Sequence, residues 1–119
     1  MGATVIPINQ RRVFSLEEAA AIFPIIRKIT KQAHDKVKIL NMQMSLISQK
    51  SRRVEIDRKI QTVLEAWQEK VSKLGCDAKG MWLVDFDNGD GFYCWHYPEA
   101  TISHSHGYSE GFKGRSKIH

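Results

Sequence analysis

The chain has 119 residues, 42% hydrophobic and 26% charged, with a formal net charge of +5 at pH 7. That size and balance fit one soluble domain, and no apolar run approaches the roughly 20 residues needed to span a bilayer. Two cysteines without a CxxC pair exclude a secreted disulfide scaffold, and the moderate positive charge permits an acidic partner without requiring one.

At the N-terminus the basic pair Arg11–Arg12 follows the apolar residues, the reverse of a secretory signal. Ile6 stands where a myristoylation signal has Ser or Thr. A cytoplasmic protein with reduced Cys76 and Cys94 is expected, without membrane attachment.

Ser15–Leu16–Glu17–Glu18 reads as a capping box that starts a first helix, with Phe14 as a staple against Ala19. Apolar residues recur at Ile22, Ile26, Ile29, Ala33, Val37, Leu40, Met44 and Ile47, a helical stripe close to the coiled-coil period. Pro24 inside this run predicts a kink, or a true start one turn later. Residues 48–53, SQKSRR, interrupt the pattern without Gly or Pro. A second stripe runs through Ile56, Ile60, Val63, Trp67, Val71 and Leu74, and Gly75 suits the position just past its end. Two such helices, roughly 45 and 35 Å long, form an antiparallel hairpin over residues 14–75. A pair that long has too little cover of its own, which predicts a homodimer through the helices. Met42, Met44, Trp67 and His34 are expected to fill core or boundary positions. Lys50, Arg52, Arg53, Arg58 and Lys59 form a basic tip. It lacks interleaved aromatics and any nucleic-acid motif, so a solvated helix end is the simpler reading and nucleic acid is not an expected partner.

Three aromatic-rich strands follow over residues 81–106, at Trp82–Phe86, Phe92–Tyr97 and Ile102–His106, with 107–119 as a tail. Asn88–Gly89 signals a two-residue hairpin turn. With that turn and a four-residue loop at 98–101, Trp82 lies opposite Trp95, Val84 opposite Tyr93 and Tyr97 opposite Ile102. Trp82, Val84, Phe86, Tyr93, Trp95, Tyr97 and Ile102 then share a core face, with His104 and His106 on that same face and Cys94 on the other. An odd-length second loop instead turns Cys94 toward His106 and His96 toward His104, converging four donors that suit zinc. Turn chemistry favours the first arrangement. The fold class is therefore α+β, a long helical hairpin followed by a three-stranded antiparallel meander.

Phe14–Ser15–Leu16–Glu17–Glu18–Ala19, Pro24, Leu83–Val84–Asp85–Phe86, Cys94–Trp95, Glu99, His106, Gly111–Phe112 and Gly114–Arg115 together resemble the domain of unknown function 2203 family of small bacterial proteins. The resemblance covers nearly the whole chain and implies a helical front with a strand-rich end, but no activity. Asp85, Cys94, Glu99, His106 and Arg115 match the family pattern. His96 stands where that pattern usually has a basic residue such as Arg, and His104 where it has an aromatic or apolar one.

The functional expectation is a dimeric module that binds an unidentified protein partner, without a cofactor and without a complete catalytic motif. The alternative is a zinc-type or other divalent transition-metal site near His104 and His106, of a kind that can serve hydrolysis. These two histidines lie two apart on a strand and can face one ion, with Cys94 or Glu99 completing the set. A third reading pairs Cys94 as nucleophile with His106 as base, oriented by Glu99 or Asp85. The candidate site residues are thus His106, Glu99, Arg115, Asp85 and Cys94, with Arg115 free to fold back onto Asp85 or Glu99.

Overall fold

The computed structural model describes residues 12–118, which form two helices and one antiparallel sheet. Helix α1 (Leu16–Ser45) and helix α2 (Lys50–Lys73) pack antiparallel and are followed by β1 (Asp77–Lys79), β2 (Leu83–Asp87), β3 (Gly91–His96) and β4 (His104–Gly107). A short 3-10 turn (Phe112–Gly114) then leads into β5 (Ser116–Lys117). The five strands pair in sequence order.

The capping box starts α1 as expected: the Glu18 N–H donates to Ser15 Oγ at 3.1 Å, and the Ser15 N–H to Glu18 Oε1 at 2.9 Å. Pro24 does not delay the start. It lies inside the continuous helix, and both Pro24 and Ala20, whose carbonyl loses its helical donor, are exposed to water. The link is shorter than 48–53 and lies earlier, at residues 46–49. Arg53, on the first turn of α2, donates to the Met44 carbonyl at 3.0 Å and the Ile47 carbonyl at 2.9 Å. A guanidinium thus satisfies the end of α1 where no glycine is present. At the far end of α2, the Cys76 N–H reaches the Val71 carbonyl and the Gly75 N–H that of Ser72. With Gly75 at φ +88°, this is a Schellman closure.

Val84, Phe86 and Trp95 face the helices and join Phe14, Ile26, Trp67 and Val71 in the main core. Trp67 donates its indole N–H to Thr30 Oγ at 2.9 Å in full burial. Trp82 and His34 close the upper edge, with Trp82 5.0 Å from the Trp67 ring and His34 4.8 Å from Tyr97. Farther along the hairpin a smaller cluster gathers Val37, Ile56 and Ile60, with Met44 and Ile47 against it. Met42, expected at the boundary, is instead exposed.

The sheet corrects the sequence reading in three ways. Five strands replace three. β1 is an Asp-Ala-Lys segment of weak strand propensity, and β5 lies in the segment read as a tail; both are recruited by pairing with β2 and β4 rather than by pattern. The first hairpin is shifted by two residues, with Val84 opposite Trp95 and Phe86 opposite Tyr93. Its turn is centred on Gly89–Asp90, closed by the Asn88 N–H on the Gly91 carbonyl at 2.9 Å. Only Gly89 has positive φ, at +92°. The turn with glycine first therefore replaces the one that would put Asn88 at positive φ. An even shift leaves the faces of β2 and β3 unchanged.

The third correction does change a face. β4 pairs with Phe92 opposite His106 and Cys94 opposite His104. His104 and His106 therefore leave the aromatic core face and join Asp85, Cys94 and Phe92. The connection spans residues 97–103, an odd number, and folds around Glu99. The His96 N–H donates to Glu99 Oε1 at 2.8 Å, the Trp95 indole to the Glu99 carbonyl at 2.7 Å, and the Glu99 N–H to the His96 carbonyl at 2.8 Å. Gly91 permits the resulting close approach, because a Cβ there would collide with the His106 carbonyl.

Thr30→Val is expected to lower the unfolding free energy by about 1–3 kcal/mol, since it strands the buried Trp67 N–H. Urea titration should show a lower midpoint at unchanged slope, with less loss when Trp67→Phe is added than the two single costs imply.

Candidate functional site

The face of the sheet turned away from the helices is polar but not open. Asp85, Cys94 and His106 project from three adjacent strands, and each is buried. One ligand atom from each lies within 4.8 Å of the others. They border a cavity of about 190 Å³ whose other walls include Lys79, Leu83, Phe92, Tyr108 and Phe112.

His106 fixes the chemistry of this group. Its Nδ1 lies 2.9 Å from the Gly107 carbonyl. A carbonyl only accepts, so Nδ1 carries the proton. Its Nε2 lies 3.2 Å from Asp85 Oδ1. In a neutral ring with the proton on Nδ1, Nε2 presents a lone pair to a carboxylate oxygen, and two acceptors face each other in a buried place. A cation between them, whether a proton or a metal ion, removes that conflict. The ring is further positioned against Phe92, with centroids 5.3 Å apart.

Cys94 is 1% exposed. Burial pushes its thiol up to about 12, with the Asp85 carboxylate adding to the rise and Arg115 opposing it. This is the opposite of an activated nucleophile. The register brings the Cys94 sulfur within 4.8 Å of a His106 ring nitrogen, but the setting holds the sulfur as a thiol.

A second group adjoins the first. Arg115 grips Glu99 with both ends of its guanidinium, Nη1 to Oε1 at 3.0 Å and Nη2 to Oε2 at 2.6 Å. The same guanidinium lies 4.2 Å over the Phe112 ring, and Phe112 packs against His96. Arg115 thus folds back to Glu99 rather than Asp85. Burial raises the Glu99 carboxyl, but hydrogen bonds from Arg115 and the His96 N–H, with the Arg115 charge, outweigh it and leave the group below its ordinary value of 4.5. His104 belongs to this second group: Nδ1 is 3.0 Å from Ser103 Oγ and 3.7 Å from Glu99 Oε2.

All five candidate residues therefore lie on one face, divided into two neighbouring sets: Asp85, Cys94 and His106 in one, Glu99 and Arg115 in the other. His104 and His106 do not share a set. Lys79 and Tyr108 were missed by sequence reasoning. Lys79 reaches the cavity only because β1 pairs with β2, which no local pattern signals. Tyr108 follows the last predicted strand, and its hydroxyl donates to Asp87 Oδ1 at 2.7 Å.

Comparison with known proteins adds a family and nothing beyond it. The family described as "Uncharacterized conserved protein (DUF2203)" matches residues 12–118. No curated protein and no solved structure matches the chain. Among the described residues no helix is long and apolar enough to cross a membrane.

Because Glu99 sits below 4.5 in the folded protein, its clamp contributes fully above pH 4.5 and is lost as pH falls through the folded-state value. Glu99→Gln is expected to cost about 1.5–3 kcal/mol at neutral pH, the range of a charge-assisted hydrogen bond. It should also shallow the acid limb of stability below pH 4.5. Urea titrations across the acid range check this; superimposable acid limbs for the two proteins would show that the clamp contributes nothing.

Proposed function

The chain belongs to the DUF2203 family, and we propose that it is a metal-binding protein whose centre is Asp85, Cys94 and His106. The observation that carries this reading is the buried approach of His106 Nε2 to Asp85 Oδ1 at 3.2 Å, with Nδ1 already committed to a carbonyl. A histidine that donates one nitrogen to a backbone carbonyl presents the other, unprotonated, as a ligand; this outer bond fixes the tautomer in many metal sites. One nitrogen, one sulfur and one carboxylate oxygen form a donor set that suits zinc. At ordinary zinc bond lengths, tetrahedral ligand atoms lie roughly 3.3–3.8 Å apart. The Nε2–Oδ1 distance is already close to that range, and the spread of up to 4.8 Å asks for side-chain adjustment only.

Three protein donors leave a fourth position, and the cavity borders all three donors. That is the arrangement of catalytic rather than structural zinc sites. A bound ion would supply Lewis acidity and, with a water in the open position, a nucleophile near neutral pH. It would also reverse the setting of Cys94, because a coordinating thiol is deprotonated. The chain's own residues hold the ligands in place: Gly107 orients His106, and Phe112 helps to wall the cavity.

Protein purified without a histidine tag and equilibrated with zinc is expected to retain about one equivalent after dialysis. Cobalt substitution should give a thiolate-to-metal charge-transfer band that Cys94→Ala abolishes. His106→Ala and Asp85→Asn should each weaken zinc binding by more than about 100-fold, beyond the loss of an outer partner. His104→Ala should leave it unchanged. Retention below about 0.1 equivalent in folded wild-type protein would end the reading.

A further inference from the structure

The far half of the helical hairpin has a different character from the rest of the molecule. Residues 36–59 hold seven of the 18 Lys and Arg but only two of the 13 Asp and Glu, so they carry the full net charge of +5 and the remaining residues are neutral as a set. Of the sheet side only Met81 and Trp82, just before β2, are seen to reach this half among the described residues. Ile39 is 56% exposed, Met42 60%, Val54 50% and Leu46 87%.

Within it lies a groove of about 580 Å³ between the two helices. Its apolar lining is Ile39, Leu40 and Val63, and its cations are Lys36, Arg58 and Lys59, opposed by Glu55 alone. The lining spans residues 55–63 of α2, about 12 Å or two to three helical turns. Among the described residues no acid forms an ion pair with Lys36, Arg58 or Lys59, whereas Lys31 and Lys73 have helix partners. An apolar strip between cationic edges, long enough for a few turns, fits the apolar face of an amphipathic helix with acidic flanks.

We propose that this groove docks an acidic amphipathic helix of another protein. A second copy of the chain would set the same cationic edges against each other, which like-charge repulsion disfavours. Residues 1–11 contain no Asp or Glu and do not supply the acidic flanks. A concave groove without aromatic side chains offers nucleic-acid bases nothing to stack on. The proposal stands on the hairpin alone and is independent of the metal centre.

The probe is a displayed library of helical peptides, selected on the full chain and counter-selected on the variant K36E/R58E/K59E. All three positions are exposed, and circular dichroism is the check that the variant keeps its helices. Enriched peptides are expected to carry apolar residues at i, i+3 or i+4, and i+7 with Glu or Asp beside them. A synthetic copy should bind the wild type at least about tenfold more tightly than the triple variant or Ile39→Glu. Binding should also weaken about tenfold when ionic strength rises from about 0.05 to about 0.3 M. The proposal is overturned by no enrichment over the variant, by enrichment of basic or uncharged peptides, or by binding that Ile39→Glu leaves intact. It is equally overturned if anionic vesicles or duplex DNA bind the tip while the peptides do not, or if sedimentation shows a dimer that buries the groove and excludes them.

Discussion

The carboxylate of Glu99 determines which residues meet on the outer face of the sheet. It accepts the His96 N–H and holds Arg115, while its backbone accepts the Trp95 indole and donates back to His96. Those bonds wind residues 97–103 into a loop of odd length. Side chains alternate along a strand, so one residue more or less in that loop sends His106 to the opposite face. With an even loop the imidazole would be pressed into Trp95 and Tyr93, and Asp85 would lose its contact with His106. One acidic side chain in a loop thus governs the meeting of Asp85, Cys94 and His106, a group it does not join.

The helical side makes this possible by leaving the outer face free of structural duty. Val84, Phe86 and Trp95, with Trp82, Tyr93 and Tyr97 packed around them, hold the sheet to the helices from one face. The outer face can therefore bury polar groups, provided they satisfy one another. Among the described residues every buried side-chain nitrogen or oxygen has a neighbour within hydrogen-bond distance, His106 and Asp85 becoming partners once a proton or metal ion stands between them. Asp87 shows the same economy, accepting both the Gly89 N–H and the Tyr108 hydroxyl. A polar layer of this kind costs stability unless fully connected, which is why its geometry is so constrained.

The helices were legible in the sequence because their signals are local and redundant. The Ser15–Glu18 box, a stripe many turns long and Gly75 each point to the same boundaries. The link was less legible because its signal is a side chain: Arg53 caps α1 from the next helix, which no turn residue announces. The aromatic core face could be read from alternation alone, and an error of two in the first hairpin did it no harm. The site could not be read in this way. Its composition turns on the parity of one loop, and that parity depends on Glu99 and Arg115, 16 residues apart in sequence and joined only in the fold. β1 and β5 were invisible for a related reason: their three and two residues become strands because an edge is offered to them.

The two cysteines, both buried and free, occupy opposite sides of the same sheet. Cys76 lies in the core shared with the helices, whereas Cys94 lies beneath Phe112 and Arg115. A thiol reagent reaches the first when the helices part from the sheet, and the second when the 112–117 segment alone lifts away. Their relative labelling rates therefore separate a local opening of the outer layer from global unfolding. The molecule carries two native clocks, one for each side of its sheet.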